Sequence, residues 1–279
     1  MIAQVIGAIA RALLVVLMIA TPAMLLPSAT SDATQIGALV AIFAGAMTLF
    51  EYSATYPGIV EFRDAPPFNR VRFGAMFIAV FLLTVICRGE IETSPMTEFV
   101  VAIAALLGQV LDFPYSPVHL IVLMLPDTAA PAQVELVRNA AGLTYFISIL
   151  SLVVLASVIR VKRWPMGNGA FNVWVNLPTF DPTAGGDVVA RLTRDARFNV
   201  AAGFLLPFLF PAVMKLSTLF FEPVTLENPQ TLIWTISAWA LLPASLFMRG
   251  IAIQRIANLI NEQRRRAAPP KEEQVWQPV

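Results

Sequence analysis

The 279-residue chain is 57% hydrophobic and only 13% charged, about half the charged share of a soluble globular domain. With a mean hydropathy of +0.72 it reads as an integral membrane protein, with no stretch left over for a sizeable soluble domain. A net charge of +1 offers no basic field for nucleic acid, the single Cys87 excludes an intrachain disulfide or thiolate cluster, and the single His119 excludes a histidine pair for haem or metal.

In chain order, apolar runs suited to spanning helices lie at about 11–28, 34–56, 72–89, 140–160, 198–221 and 230–249, each near the roughly 20 residues that cross a hydrocarbon core. The first follows Arg11 and reads as a retained span rather than a cleaved leader, because a second long run follows at once. In that second run Gly37, Ala41 and Gly45 recur every four residues. Such a small-residue face packs closely, either on another span of this chain or on a second protein. Glu51 and Tyr52 near its end read as interfacial residues.

A seventh apolar candidate, 99–126, is interrupted by DFPYSPVH at 112–119. Pro114 and Pro117 remove backbone donors and force a break. Helical pieces of about 22 Å and 15 Å would each fall short of a roughly 30 Å core.

Positive charge sets the expected orientation, because Lys and Arg concentrate in short cytoplasmic loops. Arg63, Arg70 and Arg72 follow the second span, Arg160, Lys162, Arg163, Arg191, Arg194 and Arg197 lie after the 140–160 span, and Arg249, Arg255, Arg264, Arg265, Arg266 and Lys271 follow the last. All of these fall on one side only if 99–126 enters and leaves on the other. A re-entrant segment is therefore expected, with both termini cytoplasmic; if 99–126 crosses once, the chain has seven spans and every later basic segment changes sides. The basic pattern suits a bacterial inner membrane.

Between 161 and 198, Trp164, Phe171, Trp174 and Phe180 among turn residues suggest a segment at headgroup level, followed from Asp187 by a short interfacial helix. The last span should continue as an amphipathic helix and stop before Pro269. The domain reading is thus one membrane domain, 1–266, with a loose tail at 267–279.

Asp112, Tyr115 and His119 at the break are the candidates for transport or chemistry, since ionisable groups at membrane depth are costly and often mark ion or proton paths. The structural alternative has Asp112 capping the broken helix and His119 bonded to a backbone carbonyl. Lys215 either reaches up to the headgroups or serves as a counter-ion to Asp112. Arg63, Arg70, Arg72, Arg264, Arg265 and Arg266 read as lipid-headgroup contacts. No HExxH, GxSxG, P-loop or CxxC pattern occurs, so no enzyme class, metal site or cofactor is indicated. The expected fold is an all-α, polytopic membrane helix bundle. The expected role is that of an accessory, assembly or scaffold component bound to other membrane subunits or to itself, with a small transporter or channel as the alternative.

Overall fold

A backbone surrounded by hydrocarbon must satisfy its polar groups internally, and an isolated segment does so as a helix. The computed structural model describes residues 2–27, 30–161, 164–165, 172–181, 183–220 and 226–267, and among these no strand is found. The helices are α1 (Ile2–Leu25), α2 (Ser31–Ser53), α3 (Phe68–Gly89), α4 (Pro95–Leu111), α5 (Pro117–Met124), α6 (Pro131–Val161), the single turn α7 (Val173–Asn176), α8 (Val188–Ser217) and α9 (Pro229–Ala267). Six of them, α1, α2, α3, α6, α8 and α9, are long and apolar enough to cross a membrane. The chain is a polytopic membrane helix bundle. Its tail from 268, Phe171 and the Trp174 side chain lie outside the described residues.

Local sequence sets the helix starts. Thr30 accepts from the Ala33 N–H at 3.3 Å to cap α2, and Ser94 with Thr97 forms a reciprocal capping box ahead of α4, with Pro95 in the first turn. Asp187 caps α8 by accepting from the Ala190 N–H at 3.1 Å.

Two apolar clusters divide the bundle along its length. The first joins Ala79 to Cys87 of α3, Val137 to Ile147 of α6, Leu232 to Leu241 of α9, and Val100, Ala104, Val118 and Ile121 of the broken segment. The second joins Phe62 and Phe68, Leu155 and Ile159 of α6, Leu192 and Ala196 of α8, and Ala244 to Ala257 of α9. Thus α3, α6 and α9 have members in both clusters. Among the described residues, α4 and α5 have members only in the first.

Apolar side chains gain little by leaving lipid for one another, so close backbone approach and hydrogen bonds must hold the helices together. Gly108 of α4 and Gly142 of α6 provide such an approach, since a Cβ on Gly142 would sit 2.5 Å from the Gly108 Cα. Gly203 and Gly250 play the same part between α8 and α9, where an added Cβ would lie 2.7 Å from the Phe247 nitrogen and 2.8 Å from the Ala196 carbonyl oxygen respectively. On α2, Ala41 and Gly45 are buried, and a Cβ on Gly45 would meet Val16 of α1 at 2.6 Å. The small-residue face therefore packs within the chain at Gly45, whereas Gly37 has nothing within 4 Å of where a Cβ would be.

Three expectations need correction. The segment from 188 is no separate interfacial helix: α8 runs unbroken for 30 residues, because Leu192 and Ala196 bury against α9 and no breaker interrupts the helix there. Trp164 is not an exposed residue facing headgroups; it is buried, packs on Phe62 at 5.7 Å and donates its indole N–H to the Ala65 carbonyl at 3.2 Å. Arg63 is not free for a lipid headgroup: only 6% of its side chain is exposed, and it donates to the carbonyls of Glu51, Ala54 and Thr55.

Candidate functional site

Helix α4 ends where Pro114 approaches, since the residue before a proline is pushed out of helical conformation. The turn is tight, with the Ser116 N–H donating to the Phe113 carbonyl at 2.9 Å and Tyr115 in the left-handed region at φ 68°. Ser116 then caps α5, accepting from the His119 N–H at 3.0 Å, and Pro117 occupies the first turn, where its missing donor costs nothing. This geometry brings two residues seven apart back together. His119 Nδ1 lies 2.6 Å from Asp112 Oδ1, and Arg138 of α6 donates through Nε to Asp112 Oδ2 at 2.8 Å.

Each Asp112 oxygen thus has one partner. The carboxylate is the best shielded of the three, 14% exposed against 35% for His119 and 32% for Arg138. An ionised Asp112 requires the imidazole to carry its proton on Nδ1, because a carboxylate only accepts. The arrangement can hold a proton between two acceptors beside a fixed cation. Among the described residues no group of His, Cys, Asp and Glu is large enough to hold a metal ion.

The expected site residues fall as follows. Asp112 and His119 meet, but Ser116, not Asp112, caps the break, and His119 bonds to a carboxylate rather than a carbonyl. Tyr115 is 85% exposed and stands apart from them. Lys215 is no counter-ion to Asp112; its Nζ lies 3.4 Å from the Leu125 carbonyl and 3.6 Å from Asp127. It closes the end of α5 instead. The counter-ion is Arg138 of α6.

A second charged cluster lies at the opposite end of the bundle. Arg249 of α9 donates through Nε and Nη2 to Glu61 at 2.6 and 3.0 Å, and through Nη1 to both Asp195 oxygens at 3.0 Å. Thr179 donates to Glu61 and Asn199 to Asp195, so the loop after α2, the α7–α8 connection, α8 and α9 are tied at one point. Nearby, Glu51 is buried and accepts from the N–H groups of Gly58, Ile59 and Val60 at 2.9–3.0 Å. It is a clasp for the loop rather than a carboxylate open to solvent. The exposed Asp187 accepts from Arg264 at 2.6 Å; that bond, with the Ala190 N–H, holds its carboxyl below the usual range. Arg264 therefore has a partner in the protein, whereas Arg265 and Arg266 are exposed in the last turn of α9.

Comparison with protein-family models, with curated proteins and with solved structures returned no match.

Proposed function

We propose that this chain acts by association, as an accessory, assembly or scaffold component of a larger complex in a bacterial inner membrane, with both termini cytoplasmic. The observation that carries this reading is that both clusters of polar side chains that tie helices together are internally matched: Asp112 by Arg138 and His119, Arg249 by Glu61 and Asp195, with Glu51 held by three backbone N–H groups. Such pairing fixes helices relative to one another and presents no free ligand for a solute. The α1–α2 hairpin supports it further. Only Ala41, Gly45 and Glu51 of α2 are buried, and Ile36, Leu39, Phe43 and Phe50 face outward, a surface that suits another membrane helix as well as lipid. Purification at native expression in a mild detergent should return stoichiometric partner subunits or a defined oligomer. Recovery of the lone monomer would remove the support for this reading.

A second reading has its own observation in favour. Three ionisable side chains meet at a broken helix, where transporters and channels often place a path. On that reading Asp112→Asn and His119→Ala each abolish flux in proteoliposomes, and normal flux in both excludes it.

A further inference from the structure

Two adjoining cavities, of about 330 and 370 Å³, lie between the α1–α2 hairpin and α3 and share Val15, Thr48, Tyr52, Asn69 and Phe73 as walls. Arg72 lines the first and Arg11 and Arg70 the second, and no carboxylate lines either. This contrasts with Arg63, Arg249 and Arg264, each of which has an acidic partner. Arg11 lies over the Tyr52 ring at 4.7 Å and donates to the Gly7 carbonyl of its own helix, while Arg72 lies over Phe68 at 5.5 Å. Among the described residues none of the three makes an ion pair. Along α3 the lining changes within two turns from Asn69 and Arg72 to Phe73 and Met76, and α9 continues the apolar wall with Leu241 and Leu242.

A cleft with arginines that make no ion pair among the described residues at one end, and an apolar channel running from them, complements a molecule with an anionic head and a hydrocarbon tail. We infer that it binds one anionic phospholipid, its phosphate at Arg72 with the Tyr52 hydroxyl and Asn69 beside it, its headgroup reaching Arg70 in the adjoining cavity, and an acyl chain along Phe73, Met76 and Leu241. The Arg11 guanidinium, held over Tyr52, closes the head from the α1 side. The lipid would fill the gap between the hairpin and the body of the bundle. This holds whether the protein acts by association or by transport.

The test is native mass spectrometry of the full chain in neutral detergent, titrated separately with phosphatidylglycerol, with phosphatidylcholine of the same chains, and with glycerol phosphate. One phosphatidylglycerol per chain should be retained in preference to phosphatidylcholine, and glycerol phosphate should not be retained. Each of Arg70→Gln and Arg72→Gln should weaken retention roughly fivefold, at about the attraction of one basic residue for an anionic surface. Met76→Trp should weaken it without any change of charge. Equal retention of the two lipids overturns the inference, as does retention of glycerol phosphate equal to that of phosphatidylglycerol, which would mark a free-anion site. If the arginine variants aggregate, the comparison of lipids on the unaltered chain still decides.

Discussion

Arg249 gives its donors to two carboxylates, on a loop and a helix that are 188 and 54 residues away from it in sequence. Removing it would leave Glu61 and Asp195 without their ion-paired cation, in a site where their side chains are 11% and 33% exposed. Breaking a buried pair from one side is far costlier than never having had it. Arg249→Leu should therefore destabilise the protein by about 3 kcal/mol, measured as a lowered unfolding midpoint in detergent. Arg249→Lys should fall between the two, since a point charge cannot fork both carboxylates. An unchanged midpoint in Arg249→Leu would show that the contacts contribute nothing net. Long sequence separation also explains why this cluster was invisible in the sequence, where Arg249 read as one base of a tail. Asp112 and His119 were legible because they lie only seven positions apart and bracket two prolines. Their third partner, Arg138, lies 26 residues on and belongs to a different helix.

At the scale of elements, α8 shows how a helix with two internal prolines stays whole. Pro211 has no N–H, so the Pro207 carbonyl one turn earlier has no intrahelical donor. The Trp239 indole of α9 supplies one at 2.9 Å, and its ring stacks on Tyr145 of α6 at 5.7 Å between centroids. Trp239→Phe keeps an aromatic ring but leaves that buried carbonyl unpaired, a loss of about 1–3 kcal/mol. Pro211→Ala restores a backbone donor to Pro207, so Trp239→Phe should cost about 1 kcal/mol less in that background than in the native one. Detergent melts of the four proteins measure this coupling, and strict additivity would mean that the indole N–H satisfies no real need. The prolines stand in the sequence for any reader, but their partner does not, because a tryptophan in an apolar run carries no sign of which carbonyl it meets. The missed continuity of α8 has a similar cause. Arg191, Arg194 and Arg197 look like a surface face when read alone, but Leu192 and Ala196 on the other side bury against α9, and burial decides where a helix begins.

For the whole molecule, the long apolar runs sufficed to locate the six helices long enough to cross a membrane, because hydrocarbon leaves the backbone no alternative to helix. Orientation is a separate matter, and it turns on the broken segment. Three of the long helices contribute buried residues to both apolar clusters: α3 through Phe68 and Leu83, α6 through Leu155 and Val137, α9 through Met248 and Ile236. The broken segment contributes Val100, Ala104, Val118 and Ile121 to the first alone. Helix α4 also begins beside the end of α3, where a Cβ on Gly89 would lie 3.2 Å from Thr97, and α5 ends beside Lys215 in the last turn of α8. At 17 and 8 residues, the two pieces reach about 25 and 12 Å, each short of a roughly 30 Å core. Both flanks should therefore open on one side. In a Cys87→Ser background, which removes the one native thiol, single cysteines at Thr93 and Thr128 should both react with a membrane-impermeant reagent added from outside. They should react before lysis and at similar rates. Labelling of Thr93→Cys alone from outside, with Thr128→Cys reached only after lysis, would make the segment a seventh span, place the bases after 160 on the outer face and remove the positive-inside argument for cytoplasmic termini.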